Sequence, residues 1–200
     1  MYLKSNYVWN KEIEPKFIKW VSDSANDGSE FVLITFKARV RSKRISKFDA
    51  ELVNASLISK KYIGRGLNEI EIKTGFSDFV KHLDFKYVPT SQRKKGIKLK
   101  RIPFFGGDDD AGTWNHIHAY IQKPAEVSNE RFFEYMNLIA QSKMQNICGR
   151  NCIVEAEVWC KCEQIDGKFI KYALRPEGDF IHNKLDKLFL EEVYLGSLNS

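Results

Sequence analysis

Two of the chain's four histidines, His116 and His118, lie one residue apart in Trp114-Asn115-His116-Ile117-His118-Ala119-Tyr120-Ile121. The run is dense in β-branched and aromatic residues and reads as a strand. On a strand, residues i and i+2 point to one face. His116 and His118 then project together, close enough to share one divalent ion, while Ile117, Ala119 and Ile121 form a packed face. Asp108, Asp109 and Asp110 precede the strand, after Gly106-Gly107. A carboxylate with two imidazoles is a mixed oxygen and nitrogen set suited to a catalytic divalent cation with open positions. Two alternatives need no metal: a hydrogen-bonded pair of half-buried histidines, and an acidic run that is a solvated hairpin tip.

Further along, Tyr172 and Arg175 stand three apart before Pro176 and Gly178, which stop a helix, so the two share a helix face. An arginine beside a phenol favours phenolate and grips phosphate with two parallel hydrogen bonds. Basic residues gather in two places. Lys37 and Arg39 end the first strand and lead on to Arg41, Lys43 and Arg44. A second run, from Lys86 through Arg93, Lys94, Lys95, Lys98 and Lys100 to Arg101, fits contacts to a phosphate backbone. The alternative is a solvated loop and strand edge, which a run of this density makes the lesser reading. Cys148, Cys152, Cys160 and Cys162 fall within a short stretch without the C-x2-C spacing of a zinc knuckle, so free thiols are expected over structural zinc.

The elements that must position these groups follow in order. Glu14 to Trp20 reads as a helical turn and Ser22 to Glu30 as a loop. Phe31 to Lys37 is apolar on both faces, as in a central strand. Ser46 is placed to cap a helix running to about Lys60, with Phe48, Leu52 and Ala55 on one face. Leu67 to Lys73 alternates like a strand, Phe79 to Val88 like a short helix followed by a strand, and Ile97 to Phe105 forms a strand that turns through Gly106 to Gly112 into the histidine strand. Lys123-Pro124 ends that strand. Ser128 caps a helix whose Phe132, Met136, Ile139, Ala140 and Met144 recur at helical spacing, ending near Gly149. Ile153 to Trp159 is the next strand, and Leu185, Leu188, Phe189 and Val193 mark a short C-terminal helix. The order predicts an α+β fold, an antiparallel sheet with helices mainly on one face.

The chain has 200 residues, 43% of them hydrophobic, enough for one domain with its own core. One domain is expected over 1–200, its core about 30–180. A polar N-terminal extension precedes the core. The net charge of +6 favours an anionic partner, with nucleic acid the commonest. No run is long and apolar enough to span a membrane, and the first residues lack a secretory apolar core, so no membrane partner and a cytoplasmic location are expected. No G-x-x-x-x-G-K-[ST] loop is present, so unwinding of duplex DNA would fall to a separate helicase.

Three pieces, in order, resemble the HUH endonucleases, above all the single-tyrosine rolling-circle replication initiators of plasmids and phages. Phe31-Val32-Leu33-Ile34-Thr35-Phe36 resembles their first motif. His116-Ile117-His118 with Ala119-Tyr120-Ile121-Gln122-Lys123-Pro124 resembles their metal motif, and Tyr172-Ala173-Leu174-Arg175 resembles Tyr-x-x-Lys, with arginine where lysine is usual. The resemblance covers about residues 30–180. It implies a ferredoxin-like sheet carrying the histidines centrally, and Mg2+ or Mn2+ held by His116, His118 and an acidic residue such as Asp108. It implies that Tyr172, aided by Arg175, attacks single-stranded or locally melted origin DNA, leaving a 5′-phosphotyrosine and a 3′ hydroxyl for a host polymerase. It places the protein in a bacterial or archaeal cell, encoded by a mobile element, as a monomer or weak dimer. Tyr120 and Tyr135 are alternative nucleophiles. Two other functions use the same sheet: an RRM-like module that only binds single strands, and a metal-dependent nuclease that uses water.

Overall fold

Phe31–Ser42 forms the first strand, β1, because its β-branched and aromatic residues suit a pleated surface buried on both sides. Val32, Ile34, Phe36, Ala38 and Val40 point into the main core; Phe31 and Leu33 are buried on the opposite face. The structure is a computed structural model describing residues 28–42, 65–108, 113–149, 152–162 and 192–195, with the helical positions Pro15, Lys16, Lys19 and Asp23 ahead of them. Asp23 pairs with Lys19 at 2.8 Å, so helix reaches into the stretch expected to be loop. The expected helix from Ser46 to Lys60, the Tyr172 helix and most of the C-terminal helix lie outside the described residues.

The chain continues with the two-residue strand β2 (Arg65–Gly66), helix α1 (Glu69–Tyr87), a single turn α2 (Thr90–Arg93), strands β3 (Arg101–Asp108) and β4 (Thr113–Gln122), helix α3 (Asn129–Cys148) and strand β5 (Cys152–Cys162). All strand pairs are antiparallel. β1 is central, with β5 along one side. On the other side β4 pairs with Phe31 to Lys37 and β2 takes over at Arg39 and Val40; β3 lies beyond β4. In chain order, the four long strands stand fourth, first, third, second. This is the βαββαβ arrangement of ferredoxin-like α+β folds, as expected.

α1 and α3 cover one face of this sheet. Phe36 of β1 meets Phe76 edge-on at 5.6 Å and Phe79 at 5.2 Å. Phe132, Met136, Ile139, Ala140 and Met144 of α3 are all buried, and Ser128 and Gly149 flank the helix as its caps. Gly75 lets α1 and α3 pack closely, since a Cβ there would collide with the Met144 sulfur.

Two expected strands are helix instead. Leu67 to Lys73 starts α1: the Asn68 side chain accepts from the Glu71 backbone at 2.8 Å, and the Glu71 carboxylate accepts from the Asn68 backbone at 3.0 Å. The helix then runs unbroken through Phe79 to Tyr87, in place of the expected short helix and strand. The next ladder begins at Arg101 rather than Ile97, because Leu99 gives its backbone N–H to the Asp84 carboxylate at 2.8 Å, not to a strand.

Candidate metal centre

His116 and His118 stand on the sheet face away from α1 and α3, as β4's alternation requires. Ile117, Ala119 and Ile121 belong to the core beneath the helices. The antiparallel register sets the histidines' neighbours. Lys37 of β1 and Gly106 of β3 flank His116; Thr35 and Phe104 flank His118; Leu33 and Ile102 flank Tyr120. Residue pairs directly opposite share a face. The face is graded along the strands. Tyr120, Ile102 and Phe104 have no exposure, whereas Thr35, His116, His118 and Lys37 are half-buried. The imidazoles therefore sit where a dry end of the face gives way to solvent.

The two rings meet nearly at right angles, 79° between planes and 4.6 Å between centroids. Their Nε2 atoms are 3.1 Å apart. Two nitrogens each about 2.1 Å from one divalent ion are separated by about 3.0 Å at an octahedral right angle and about 3.4 Å at the tetrahedral angle. The observed separation falls between these values and is also that of a direct Nε2–H···Nε2 hydrogen bond, so the pair fits either a shared ion or a metal-free pair. Thr35 Oγ1 lies 2.9 Å from His118 Nδ1, behind the ring. Gly106 leaves room for the other ring, because a Cβ at that position would stand 2.6 Å from His116 Nε2.

Neither composition nor motif marks Thr35 or Gly106 as a site residue. Thr35 lies within the first-strand motif and Gly106 within the turn signal, and only the register brings them to the histidines. Among the described residues no third His, Cys, Asp or Glu joins the pair. Asp108 ends β3 opposite Thr113, past an irregularity in the ladder. Its side chain, with Asp109, Asp110, Tyr172 and Arg175, lies outside the described residues. Cys148 is half-buried at the end of α3; the side chains of Cys152, Cys160 and Cys162 are outside the described set.

The alternative nucleophiles fare differently from each other. Tyr120 shares the histidine face but is fully buried. Tyr135 is on α3, against Tyr87 and His82, on the other side of the sheet. Burial raises its pKa, further disfavouring phenolate.

No family model, curated protein or solved structure matches this chain.

The expected DNA-binding residues divide into four groups. Lys94, Lys95 and Lys98 are exposed on the loop after α2, and half-buried Lys100 leads into β3. This loop meets β3 three residues from the level of His118, about 10 Å along the strand. Lys37 and Arg39 lie on the histidine face, opposite Glu157 at 3.3 Å and Glu155 at 3.9 Å on β5. Arg93 holds the end of α1, donating to the Val88 carbonyl at 3.0 Å and to the Thr90 hydroxyl at 2.9 Å, and lies over the Phe85 ring.

Arg101 must be removed from the phosphate-binding set. It is 1% exposed, donates to both Asp84 carboxylate oxygens at 3.0 and 2.8 Å, and reaches Glu192 at 3.2 Å. A guanidinium enclosed by two carboxylates does not reach a phosphate. No described helix is long and apolar enough to cross a membrane.

Proposed function

We propose that this protein is a divalent-metal-dependent endonuclease and strand transferase that nicks single-stranded origin DNA through Tyr172. The observation that carries this reading is the convergence of His116 Nε2 and His118 Nε2 at 3.1 Å on the sheet face opposite α1 and α3. The ordered match to the HUH motifs supplies the nucleophile. When bound, Mg2+ or Mn2+ withdraws charge from a nonbridging phosphate oxygen and so lessens the repulsion of an incoming phenolate.

The chain's own groups do the rest. His116 and His118 offer Nε2 lone pairs, and Asp108 is the candidate third ligand. Arg175 stabilises the Tyr172 phenolate and clamps the phosphate. The Tyr172 oxygen bonds to phosphorus as its proton leaves, the bond from phosphorus to the 3′ oxygen breaks, and that oxygen takes a proton. The products are a 5′-phosphotyrosine and a free 3′ hydroxyl, which a separate polymerase extends. Reversal by another 3′ hydroxyl rejoins the strand. Lys94, Lys95, Lys98 and Lys100 hold the phosphate backbone to one side.

The reading as a single-strand-binding platform is less well supported. RRM-like sheets stack bases on exposed aromatic faces, and among the described side chains the aromatics on this face, Phe31, Phe104 and Tyr120, are buried; Trp114 and Trp159 share the face by register, with side chains outside the described residues.

The test uses full-length protein, Mn2+ and a pool of random single-stranded oligonucleotides. A denaturation-resistant adduct is expected, mapped by mass spectrometry to the peptide containing Tyr172. Tyr172→Phe should lose the adduct and keep DNA binding. His116→Ala and His118→Ala should each lower cleavage by more than the roughly 10- to 100-fold typical of losing an outer metal-site partner. Undiminished nicking by both histidine variants overturns the metal assignment. Cleavage without an adduct replaces the tyrosine mechanism with water attack.

A further inference from the structure

Thr35 lies directly across the ladder from His118, with its hydroxyl 2.9 Å from Nδ1, while His118 Nε2 lies 3.1 Å from His116 Nε2. The three side chains thus form one hydrogen-bonded line. Without a metal this line can be satisfied in two directions. Either the hydroxyl donates to His118 Nδ1 and His118 Nε2–H donates to His116, or His116 Nε2–H donates to His118 and His118 Nδ1–H donates to the hydroxyl. A threonine hydroxyl can act in either sense. With a metal only one arrangement survives. Both Nε2 atoms must present lone pairs, so the His118 proton must sit on Nδ1 and needs an acceptor behind the ring.

We infer that Thr35 is a positioning residue for the metal centre, its hydroxyl accepting from His118 Nδ1–H and holding the tautomer that frees Nε2 for the ion. This rests on the two-histidine reading of the site. The requirement is specific to the metal-bound state. Valine at position 35 has the shape of threonine and suits a strand, but it would leave a half-buried Nδ1–H facing a methyl group. The fold gives up only one replaceable hydrogen bond, whereas the metal-bound tautomer is deprived of its fixed acceptor.

The experiment compares full-length wild type, Thr35→Val, Thr35→Ser and the double variant His116→Ala/His118→Ala. Mn2+ affinity is read by electron paramagnetic resonance titration, and the His118 tautomer by nitrogen-15 chemical shifts of the metal-free protein. Thr35→Val should bind Mn2+ about 10- to 100-fold more weakly. Its His118 should shift away from the Nδ1–H tautomer relative to wild type. Thr35→Ser, which keeps the hydroxyl, should restore both readouts. Equal affinity in wild type and Thr35→Val, with binding lost in the double histidine variant, overturns the role of Thr35 alone. Mn2+ binding that survives in the double variant, or is absent from wild type, overturns the two-histidine site and the role of Thr35 with it.

Discussion

At position 106 a hydrogen atom stands where any other residue carries a carbon, and the His116 ring occupies the space that carbon would need. A Cβ there would lie 2.6 Å from Nε2 and 3.0 Å from Cε1. Gly106→Ala should therefore turn the imidazole aside and break the Nε2 convergence. The displaced group is the end of a side chain, so the strand itself should hold. Mn2+ affinity is expected to fall about tenfold or more, comparable to removing a group that orients a ligating histidine, with little change in melting temperature. A Mn2+ titration beside a thermal melt checks both, and unchanged affinity would mean that the ring tolerates a second orientation. The His116 and His118 pair is legible from spacing alone, because a strand's period of two puts i and i+2 together. Thr35 and Gly106 are not. They reach the site from neighbouring strands, and the register that brings them there is set by pairings between residues far apart in the chain.

Helix α1 is the element the sequence obscures. Ile70 and Ile72 alternate with Glu69 and Glu71 like a half-buried strand, yet Ile70 is 78% exposed and only Ile72 enters the core. The informative signals are Asn68 with Glu71 three residues on, and the helical recurrence of Ile72, Phe76, Phe79 and Leu83. β1 and α3 are legible because strand composition, caps and burial period all agree there. α3 also does something that composition does not reveal. Asn137 bonds both backbone groups of Val158, at 2.9 and 3.3 Å, and Gln141 takes the Val154 carbonyl at 2.6 Å and the Ala156 N–H at 2.9 Å. These groups line the edge of β5 that faces away from β1, so two amides one helical turn apart close an edge otherwise open to another strand. Asn137→Ala and Gln141→Ala should each cost about 1–2 kcal/mol, and the double variant should self-associate. Urea denaturation and sedimentation velocity measure these effects; a monomer of undiminished stability would show that solvent satisfies the edge equally well.

Among the described residues, positive charge stands in two different settings. Arg101 binds the structure together: its guanidinium joins Asp84 of α1 to Glu192, while its backbone pairs with Tyr194 at 2.7 and 2.9 Å. This network fastens residues 192–194 along the outer edge of β3. Lys94, Lys95 and Lys98 stand in solvent beside it. The basic run looks continuous in sequence, but a charge on a loop and a charge in the core have opposite consequences when removed. Arg101→Met should cost about 3–5 kcal/mol, because two buried carboxylates lose their partner. The folded fraction should still bind single-stranded DNA with an unaltered dependence on salt. Replacing Lys94, Lys95 and Lys98 with glutamine should leave stability nearly unchanged. It should lower the slope of log affinity against log salt by about 0.7 for each phosphate that the variant no longer neutralises. Fluorescence anisotropy with a labelled random single strand, across a salt series and below the melting temperature of each variant, separates the two effects. A slope that falls for Arg101→Met and holds for the lysine variant would move the DNA track from the loop to the edge of β3.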